Sequence, residues 1–195
     1  FQHRLSVDLD FFTSHFVYSR VTEIIEYLKK ALKINIKVTA QRLENGKVKM
    51  VICNAYFSAR DSLKIDFVED IIEHLKQHKV MEGINILSLE DIYLRKIYSV
   101  AGMLETFDEI GRKKIIGGRL TARDFYDLYF LSHTFMPLSK FVDKYCDALI
   151  KEGLVRWFRS YDRMEMTEGI LTLDTEKKAD YKNLEKHFKN EVDNI

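Results

Sequence analysis

Apolar and polar positions alternate through the first third of the chain, and this alternation predicts a small β-sheet. Residues 4–12 (Arg-Leu-Ser-Val-Asp-Leu-Asp-Phe-Phe) repeat with a period of two, which is typical of a strand with one buried and one solvated face. Two more strands are predicted over 34–43 and 48–57, with Asn45-Gly46 between them as a tight hairpin turn. A fourth strand is predicted over 63–68.

Between the first two predicted strands the apolar spacing becomes helical. The apolar residues of this segment recur at helical intervals: Val21, Ile24, Ile25, Leu28 and Leu32. This spacing predicts an amphipathic helix over about 18–32. The order β-α-β-β-β therefore predicts a small mixed sheet with one helix packed against it.

The pattern changes to helices from residue 88 onward. Ser88 precedes Glu90 and Asp91, an arrangement that predicts a capped helix N-terminus, and this helix is expected to reach about residue 103. Thr121 is predicted to cap the next helix, with Asp124 three positions further on.

The last part of the chain also has mainly helical spacing. A helix is predicted over 138–150 and is expected to end at Gly153, and the charge-rich segment from Asp174 onward has a helical pattern. Between them, residues 156–161 interleave bases and aromatics, and we expect an amphipathic strand that buries Trp157. A surface that contacts RNA is the alternative interpretation of this segment.

These elements predict an α+β fold in two parts. Residues 1–87 are expected to form the core, a small mixed sheet with its packed helix, and residues 88–195 are expected to form a C-terminal helical lobe.

Composition narrows the class of protein. The 195 residues include 31 Lys and Arg and 30 Asp and Glu, so the net charge is +1, and any binding of nucleic acid would need a local basic patch. No apolar run approaches the roughly 18 residues of a membrane helix. The two cysteines form no Cys-x-x-Cys pair, which argues against a disulfide scaffold or zinc knuckle and is typical of the reducing cytosol.

Three acids on predicted strands indicate a metal site. Asp8 and Asp10 are two positions apart, so their side chains project from the same face of the first strand, and Asp66 has similar apolar neighbours on the fourth strand. Carboxylates on adjacent strands repel one another and raise each other's pKa unless a divalent cation compensates them. Oxygen ligands suit Mg²⁺. A solvated sheet face is the alternative.

A run of bases precedes the helix that is predicted to begin after Thr121. Residues 111–123 contain no acid but contain five bases: Arg112, Lys113, Lys114, Arg119 and Arg123. Such a patch can receive a triphosphate or an RNA backbone, and a solvated loop is the alternative.

Taken in order, the motifs resemble those of a known family. Asp8-Leu9-Asp10-Phe11 and Ile65-Asp66-Phe67 resemble the acidic motifs of the DNA polymerase β-like nucleotidyltransferase superfamily. Residues 4–12 resemble, more narrowly, the AbiEii/AbiGii toxin family. Residues 89–96 resemble that family's Leu-Glu helix, which ends in a functional lysine, and residues 119–128 resemble its Arg-Asp-x-x-Asp-Leu helix. The resemblance covers about residues 4–131.

The resemblance implies that residues 1–87 are a nucleotidyltransferase core, which moves a nucleoside monophosphate from an NTP to an acceptor and releases pyrophosphate. Asp8, Asp10 and Asp66 are then the ligands of two Mg²⁺ ions, with Mn²⁺ as an alternative, and Asp66 also activates the acceptor oxygen. Lys96 and Asp124 complete the catalytic set, since Lys96 neutralises phosphate charge and Asp124 orients Lys96 or the acceptor. The polar residues expected to bind the nucleotide are Arg4, Ser6, Lys96, Arg119 and Arg123.

The resemblance also implies a biological setting. The protein would be the cytoplasmic toxin of a bacterial toxin–antitoxin or phage-defence pair, with a cognate antitoxin protein as partner and RNA, with tRNA as one candidate, as acceptor. Two alternatives remain open from the residues: a nucleotidyltransferase that modifies a small molecule such as an antibiotic, and a non-catalytic interaction module.

One motif of the superfamily is absent from this sequence. A Gly-Gly or Gly-Ser turn that holds the nucleotide phosphates is expected about ten residues before the first acid, whereas Asp8 is preceded by only seven residues. Gly117-Gly118 lies too far downstream to replace it. Because the chain opens at Phe1 without an initiator methionine, we expect the intact protein to carry this turn upstream.

Overall fold

A computed structural model describes residues 3–6, 8–176 and 178–195. These residues fall into two compact units. The sheet unit comprises Ser6–Glu73, and the helical unit comprises His74–Ile195 together with the described residues that precede Ser6. The fold is a mixture of helices and a small mixed sheet, as predicted. The predicted division into domains after residue 87 stays a prediction.

Among its described residues, the sheet unit contains one four-stranded sheet and one helix. Its elements are β1 (Asp8–Thr13), α1 (Tyr18–Leu32), β2 (Asn35–Arg42), β3 (Met50–Tyr56) and β4 (Ser62–Glu69). The strand order is β1-β4-β3-β2, and β1 runs parallel to β4 while the other neighbours are antiparallel. The helix over 18–32 and the hairpin at Asn45-Gly46 are confirmed, with Gly46 at a φ of +77° that favours glycine in a tight turn.

The first strand is shorter than the alternation predicted. It begins at Asp8, and Val7, which the predicted strand includes, lies outside the described residues. Arg4 instead forms an isolated antiparallel bridge with Thr175 in the helical unit.

One face of the sheet is packed against α1 and forms the core of this unit. The buried members of this core come from α1, from all of the strands except β1, and from the segment before the helix: Phe16, Val21, Ile25, Ile36, Val51, Cys53, Ala55, Ile65 and Phe67. Because successive strand residues point to opposite faces, Asp66 projects away from the face that carries Ile65 and Phe67. The sheet therefore has an apolar face toward the helix and a polar face opposite.

The helical unit contains two β-hairpins and six helices among its described residues. The strands are β5 (Lys79–Met81), β6 (Ile84–Ile86), β7 (Gly102–Phe107) and β8 (Lys113–Gly117). The helices are α2 (Leu89–Ala101), α3 (Ala122–Thr134), α4 (Leu138–Tyr145), α5 (Ala148–Ser160), α6 (Arg163–Leu171) and α7 (Tyr181–Val192). The predicted caps of α2 and α3 are confirmed, since Ser88 and Thr121 each accept a hydrogen bond from the backbone NH three residues on.

Two predictions for the last third of the chain are wrong. The single helix over 138–150 is divided into α4 and α5, because Asp147 begins a new helix by accepting a hydrogen bond from the NH of Ile150. Gly153 does not end a helix but lies inside α5, where a Cβ atom would come within 3.0 Å of the carbonyl oxygen of Ala101 on α2. Trp157 is buried as predicted, but it lies in α5 and not in a strand.

The β7–β8 hairpin was not predicted. The sequence suggested a helix to about 103 and then a basic loop, whereas β7 begins at Gly102, and Lys113 and Lys114 lie in β8. Gly102 has a φ of +95°, and a Cβ atom there would lie 2.3 Å from the carbonyl oxygen of Ile116. The close approach of the two backbones therefore requires glycine at this position.

Among the residues that the structure describes, the longest helix has 15 residues, and no helix has the length and hydropathy of a membrane span.

Candidate active site

The register of the sheet places the three predicted acids on its polar face. Asp10 lies beside Asp66 on the neighbouring parallel strand, and Asp8 lies beside Lys64. Neighbouring residues of adjacent strands project from the same face, at a spacing of about 4.8 Å between strands. Asp8, Asp10, Asp66 and Lys64 therefore share one surface of the sheet, on the side away from α1.

Asp66 is the most buried of the three acids, with 9% of its surface exposed. Lys64 donates a hydrogen bond to its Oδ2 atom. The Oδ1 atom is also buried, and it has no hydrogen-bond partner among the described residues. An ionised oxygen in this position favours a cation or a proton donor as its neighbour, because burial without a partner is costly.

The chemistry of this surface fits a hard divalent cation. Three carboxylates on one face supply the oxygen ligands that Mg²⁺ prefers, and Lys64 is a single positive charge beside them. Ser6, predicted to bind nucleotide, donates to Oδ1 of Asp8 at 3.1 Å and so orients that carboxylate. Within the described part of the chain, no three His, Cys, Asp or Glu side chains are gathered closely enough to hold a metal ion. The metal role of the three acids stays a prediction.

A second polar cluster lies in the helical unit and centres on Lys96 of α2. The Lys96 ammonium lies 2.9 Å from Oδ1 of Asp124 and 2.7 Å from Oδ2 of Asp127. Both aspartates come from α3, where a spacing of three positions places them on the same helix face. Both are buried, while the Lys96 side chain is 24% exposed.

Each aspartate of this cluster has further partners. Arg119 donates to both oxygens of Asp124, at 2.6 and 3.1 Å. Arg4 donates to both oxygens of Asp127, at 2.6 and 2.7 Å, and Nε2 of His3 lies 2.9 Å from Asp127 Oδ1. Two carboxylates are therefore surrounded by three permanent cations and a histidine.

The cations keep both carboxylates ionised. Burial alone would raise the pKa of Asp124, but Lys96 and Arg119 outweigh it and hold the pKa below its usual range. Burial also opposes ionisation of Asp127, yet hydrogen bonds from Arg4 and His3, with the charge of Lys96, hold its pKa well below the usual range. At neutral pH the cluster carries at least one net positive charge, which favours an anionic ligand.

Comparison with known proteins assigns the family. The sequence matches, over residues 1–194, the family described as "Nucleotidyl transferase AbiEii toxin, Type IV TA system". The chain belongs to this family. It is accordingly a nucleotidyltransferase of the AbiEii toxin type. No curated protein matches the chain significantly.

Two solved structures are similar in fold to this AbiEii family member. The crystal structure of JHP933 from Helicobacter pylori has a TM-score of 0.54 and 17% identity, over 98% of this chain and 76% of that one. A provisionally named nucleotidyltransferase from H. pylori has a TM-score of 0.53 and 16% identity, over 98% of this chain and 78% of that one. At such low identity the likeness shows a shared fold.

The predicted site residues of this AbiEii protein therefore form two groups. The sheet unit brings together Asp8, Asp10 and Asp66, and the helical unit brings together Lys96, Asp124, Arg4 and Arg119. Arg4 and Arg119, predicted to bind the nucleotide, are each engaged by an aspartate. Arg123 lies in the first turn of α3 and is exposed.

Sequence reasoning did not assign a role to three residues that the structure places at these sites. Lys64 precedes Asp66 by two positions, so the strand alternation could have placed it on the same face. Asp127 is the second acid of the Arg-Asp-x-x-Asp-Leu motif and shares a helix face with Asp124. His3 had no local signal, because its partner Asp127 is 124 positions away in the sequence.

The basic patch predicted over residues 111–123 is largely paired with acids. Arg112 lies 3.0 Å from Asp108, and Lys113 lies 3.2 Å from Glu105 across the hairpin. Arg119 is engaged by Asp124, as described above. Asp108 and Glu105 precede the patch in sequence and approach it only when the hairpin forms, so the prediction overlooked them, whereas Asp124 follows the patch directly.

Proposed function

We propose that this AbiEii-family nucleotidyltransferase transfers a nucleoside monophosphate from an NTP to an RNA acceptor and requires Mg²⁺. The observation that carries the proposal is the register of β1 and β4, which gives Asp8, Asp10 and Asp66 a common face, with a buried carboxylate oxygen on Asp66. Membership of the family supports the reaction class.

In this proposal the acceptor hydroxyl oxygen attacks the α-phosphorus of the NTP. A new P–O bond forms, the bond to the β-phosphate bridge breaks, and pyrophosphate leaves. Asp8, Asp10 and Asp66 would hold Mg²⁺ or Mn²⁺, which when bound neutralises triphosphate charge and polarises the acceptor oxygen. Asp66 orients the acceptor hydroxyl and accepts its proton, and Ser6 holds the carboxylate of Asp8.

Lys96 supplies positive charge to the phosphates, with Asp124 and Asp127 as positioning residues. The two carboxylates hold the ammonium at 2.9 and 2.7 Å, which limits its rotation, while a quarter of the side chain stays accessible to a ligand. Because phosphoryl-type transfer depends on positioning and charge, a fixed ammonium is more effective than a mobile one. The surplus positive charge of Arg4, Lys96 and Arg119 adds to this effect.

The biological partners follow from the family description. A type IV toxin–antitoxin system implies a cognate antitoxin. We propose that the reaction takes place in the cytoplasm, where NTPs and RNA are present. We propose that the toxin inactivates RNA by adding nucleotides to it.

Transfer of label tests the function. Protein, total cellular RNA and NTPs labelled at the α-phosphate are incubated with and without Mg²⁺, and the RNA is separated by electrophoresis. We expect the label to appear on RNA and unlabelled pyrophosphate to be released into solution. Excess EDTA should abolish both. Label on an aminoglycoside or another small alcohol, with none on RNA, would replace the RNA acceptor by a small molecule. Label on neither would contradict the proposal.

Lys64 provides a test of the metal site that does not depend on activity. Lys64→Met should tighten Mg²⁺ binding by up to about fivefold. The Lys64 ammonium competes with Mg²⁺ for the Asp66 carboxylate, and a partly exposed ion pair of this kind contributes up to about 1 kcal/mol of free energy. Isothermal titration calorimetry measures the affinity. Lys49→Met, which breaks the pair with Glu69, is the matched control and should leave Mg²⁺ binding unchanged. Unchanged or weaker binding by Lys64→Met would exclude Asp66 as a ligand.

A further inference from the structure

A basic groove lies in the helical unit, in a region that the sequence motifs do not include. It has a volume of about 490 Å³ and is formed by α5, the first turn of α6, and α7. Its walls carry five bases and two acids: Arg159, Arg163, Lys182, Lys186, Lys189, Glu185 and Asp193. The formal charge of this lining is therefore +3 at neutral pH, although the whole chain carries only +1.

Three of these bases form a row along α7. Lys182, Lys186 and Lys189 are four and three positions apart, which places them on one face of the helix over about 10 Å of its axis. The opposite face is apolar and buried through Leu184 and Phe188. The lysines are consequently exposed while the helix that carries them is fixed to the rest of the unit.

Among the described residues, the three lysines of the groove and Arg159 have no acidic partner, unlike Arg112 and Lys113 of the β7–β8 hairpin. Among residues 3–6, 8–176 and 178–195, no carboxylate lies within ion-pair distance of the three lysines or of Arg159. Only Arg163 is paired, at 2.7 Å from Glu185. Among the described residues, four bases without an ion pair therefore lie together on this groove, whereas Arg112, Lys113 and Arg119 of residues 111–123 are paired with acids.

We infer that this groove binds the phosphate backbone of single-stranded RNA, the acceptor in the proposed function, on which the inference rests. A row of exposed lysines at regular spacing suits successive phosphates, which require charge but no particular base. A membrane surface suits it less well, because a helix that lies on lipid presents apolar residues to it, whereas Leu184 and Phe188 face the protein interior.

The test compares two triple variants that remove the same charge. Lys182→Ala, Lys186→Ala and Lys189→Ala together remove the row, and alanine keeps the helix stable. The control removes three acid-paired bases elsewhere, with Arg112→Ala, Lys113→Ala and Lys151→Ala. Binding of a fluorescent single-stranded RNA is followed by anisotropy over a range of salt concentrations, and circular dichroism measures the fold.

We expect the α7 triple variant to bind RNA at least about tenfold more weakly near 0.1 M salt, with a log–log salt slope that is smaller by about 2, since each phosphate contact to a single strand contributes roughly 0.7. The control should retain wild-type binding. Equal losses in both variants would mean a general charge effect and would overturn the inference. Unchanged RNA binding by the α7 variant would also overturn the inference. This includes a result in which the variant loses binding to phosphatidylserine vesicles but keeps binding to RNA.

The experiments distinguish an error in the groove assignment from an error in the proposed function. Asp10→Asn should bind RNA like wild type while its transfer of label falls by about a thousandfold, because Asp10 belongs to the sheet unit. If wild type labels RNA but the α7 variant binds and labels it normally, the groove assignment alone is wrong. If wild type neither binds nor labels RNA, the acceptor in the proposed function is wrong, and the groove assignment is wrong with it.

Discussion

Asp10→Asn should reduce nucleotide transfer by about a thousandfold without unfolding the protein. The amide keeps the size of the side chain but removes one of the charges that the proposed reaction requires, and loss of a single preorganised electrostatic group costs about 10²–10³ in rate. The melting temperature should stay the same or rise, because Asp10 lies beside Asp66 and the substitution relieves repulsion between them. Initial rates of label transfer and differential scanning fluorimetry measure the two effects.

Asp61→Asn is the matched control for this experiment. It makes the same chemical change on an exposed residue of the same unit, just before β4. Its transfer rate should equal that of wild type. If Asp10→Asn kept more than about a tenth of wild-type activity, where a loss of at least 10²-fold is expected, the acids of the sheet would not be the catalytic centre.

Lys96→Met should destabilise the protein by about 2–3 kcal/mol and also lower its activity. Breaking a buried ion pair leaves buried charge uncompensated, at a typical cost of about 3–5 kcal/mol. The cost expected here is below this typical range because, after the substitution, Asp124 is still paired with Arg119 and Asp127 is still paired with Arg4. Urea denaturation measures the free energy of unfolding. Lys113→Met, which breaks the exposed pair with Glu105, should cost less than about 1 kcal/mol.

Two further variants separate the structural role of Lys96 from its proposed role toward phosphate. Lys96→Arg keeps the charge and should recover most of the stability, while a bulkier group in a fixed site should still raise the KM for NTP. In Lys96→Met with Asp127→Asn, the total loss of stability should be smaller than the sum of the single losses, because the pair is in direct contact. Additive losses, or normal kinetics in Lys96→Met, would contradict the assignment.

The effect of Lys96→Met should depend on pH in a defined direction. Asp124 and Asp127 have lowered pKa values in the folded protein, so their stabilising contribution is present above the usual aspartate pKa of about 3.9 and is lost as pH falls through the folded values. The difference in unfolding free energy between wild type and Lys96→Met should therefore be constant from neutral pH to about pH 5 and should diminish below pH 4.

Much of the local structure followed from the sequence alone. The period-two alternation around Asp8, Asp10 and Asp66 determined that all three side chains leave the apolar face of the sheet, because strand geometry alternates side chains whatever the partner strand. The caps Ser88 and Thr121 marked helix starts for an equally local reason, since a capping side chain bonds to a backbone NH only three residues away.

Local pattern was misread where the segment considered was too short. Within residues 156–161 the aromatic residues stand at 157, 158 and 161, and with Leu154 they recur at i, i+3, i+4 and i+7, which is helical spacing; Trp157 is buried in a helix or in a strand. The hairpin of β7 and β8 depends on Gly102, whose need for close backbone contact with Ile116 is visible only when both strands are present.

The pairing of charges was decided by the tertiary structure. Arg4 and His3 reach Asp127 across more than 120 positions of sequence, and the bases of residues 111–123 meet acids that only the folded hairpin brings to them. The lysines of α7, by contrast, have no acidic partner among the described residues. Charge interactions act through space and depend on burial, so the sequence determined which charges this protein carries, and only the fold decided which of them neutralise one another and which remain available to a ligand.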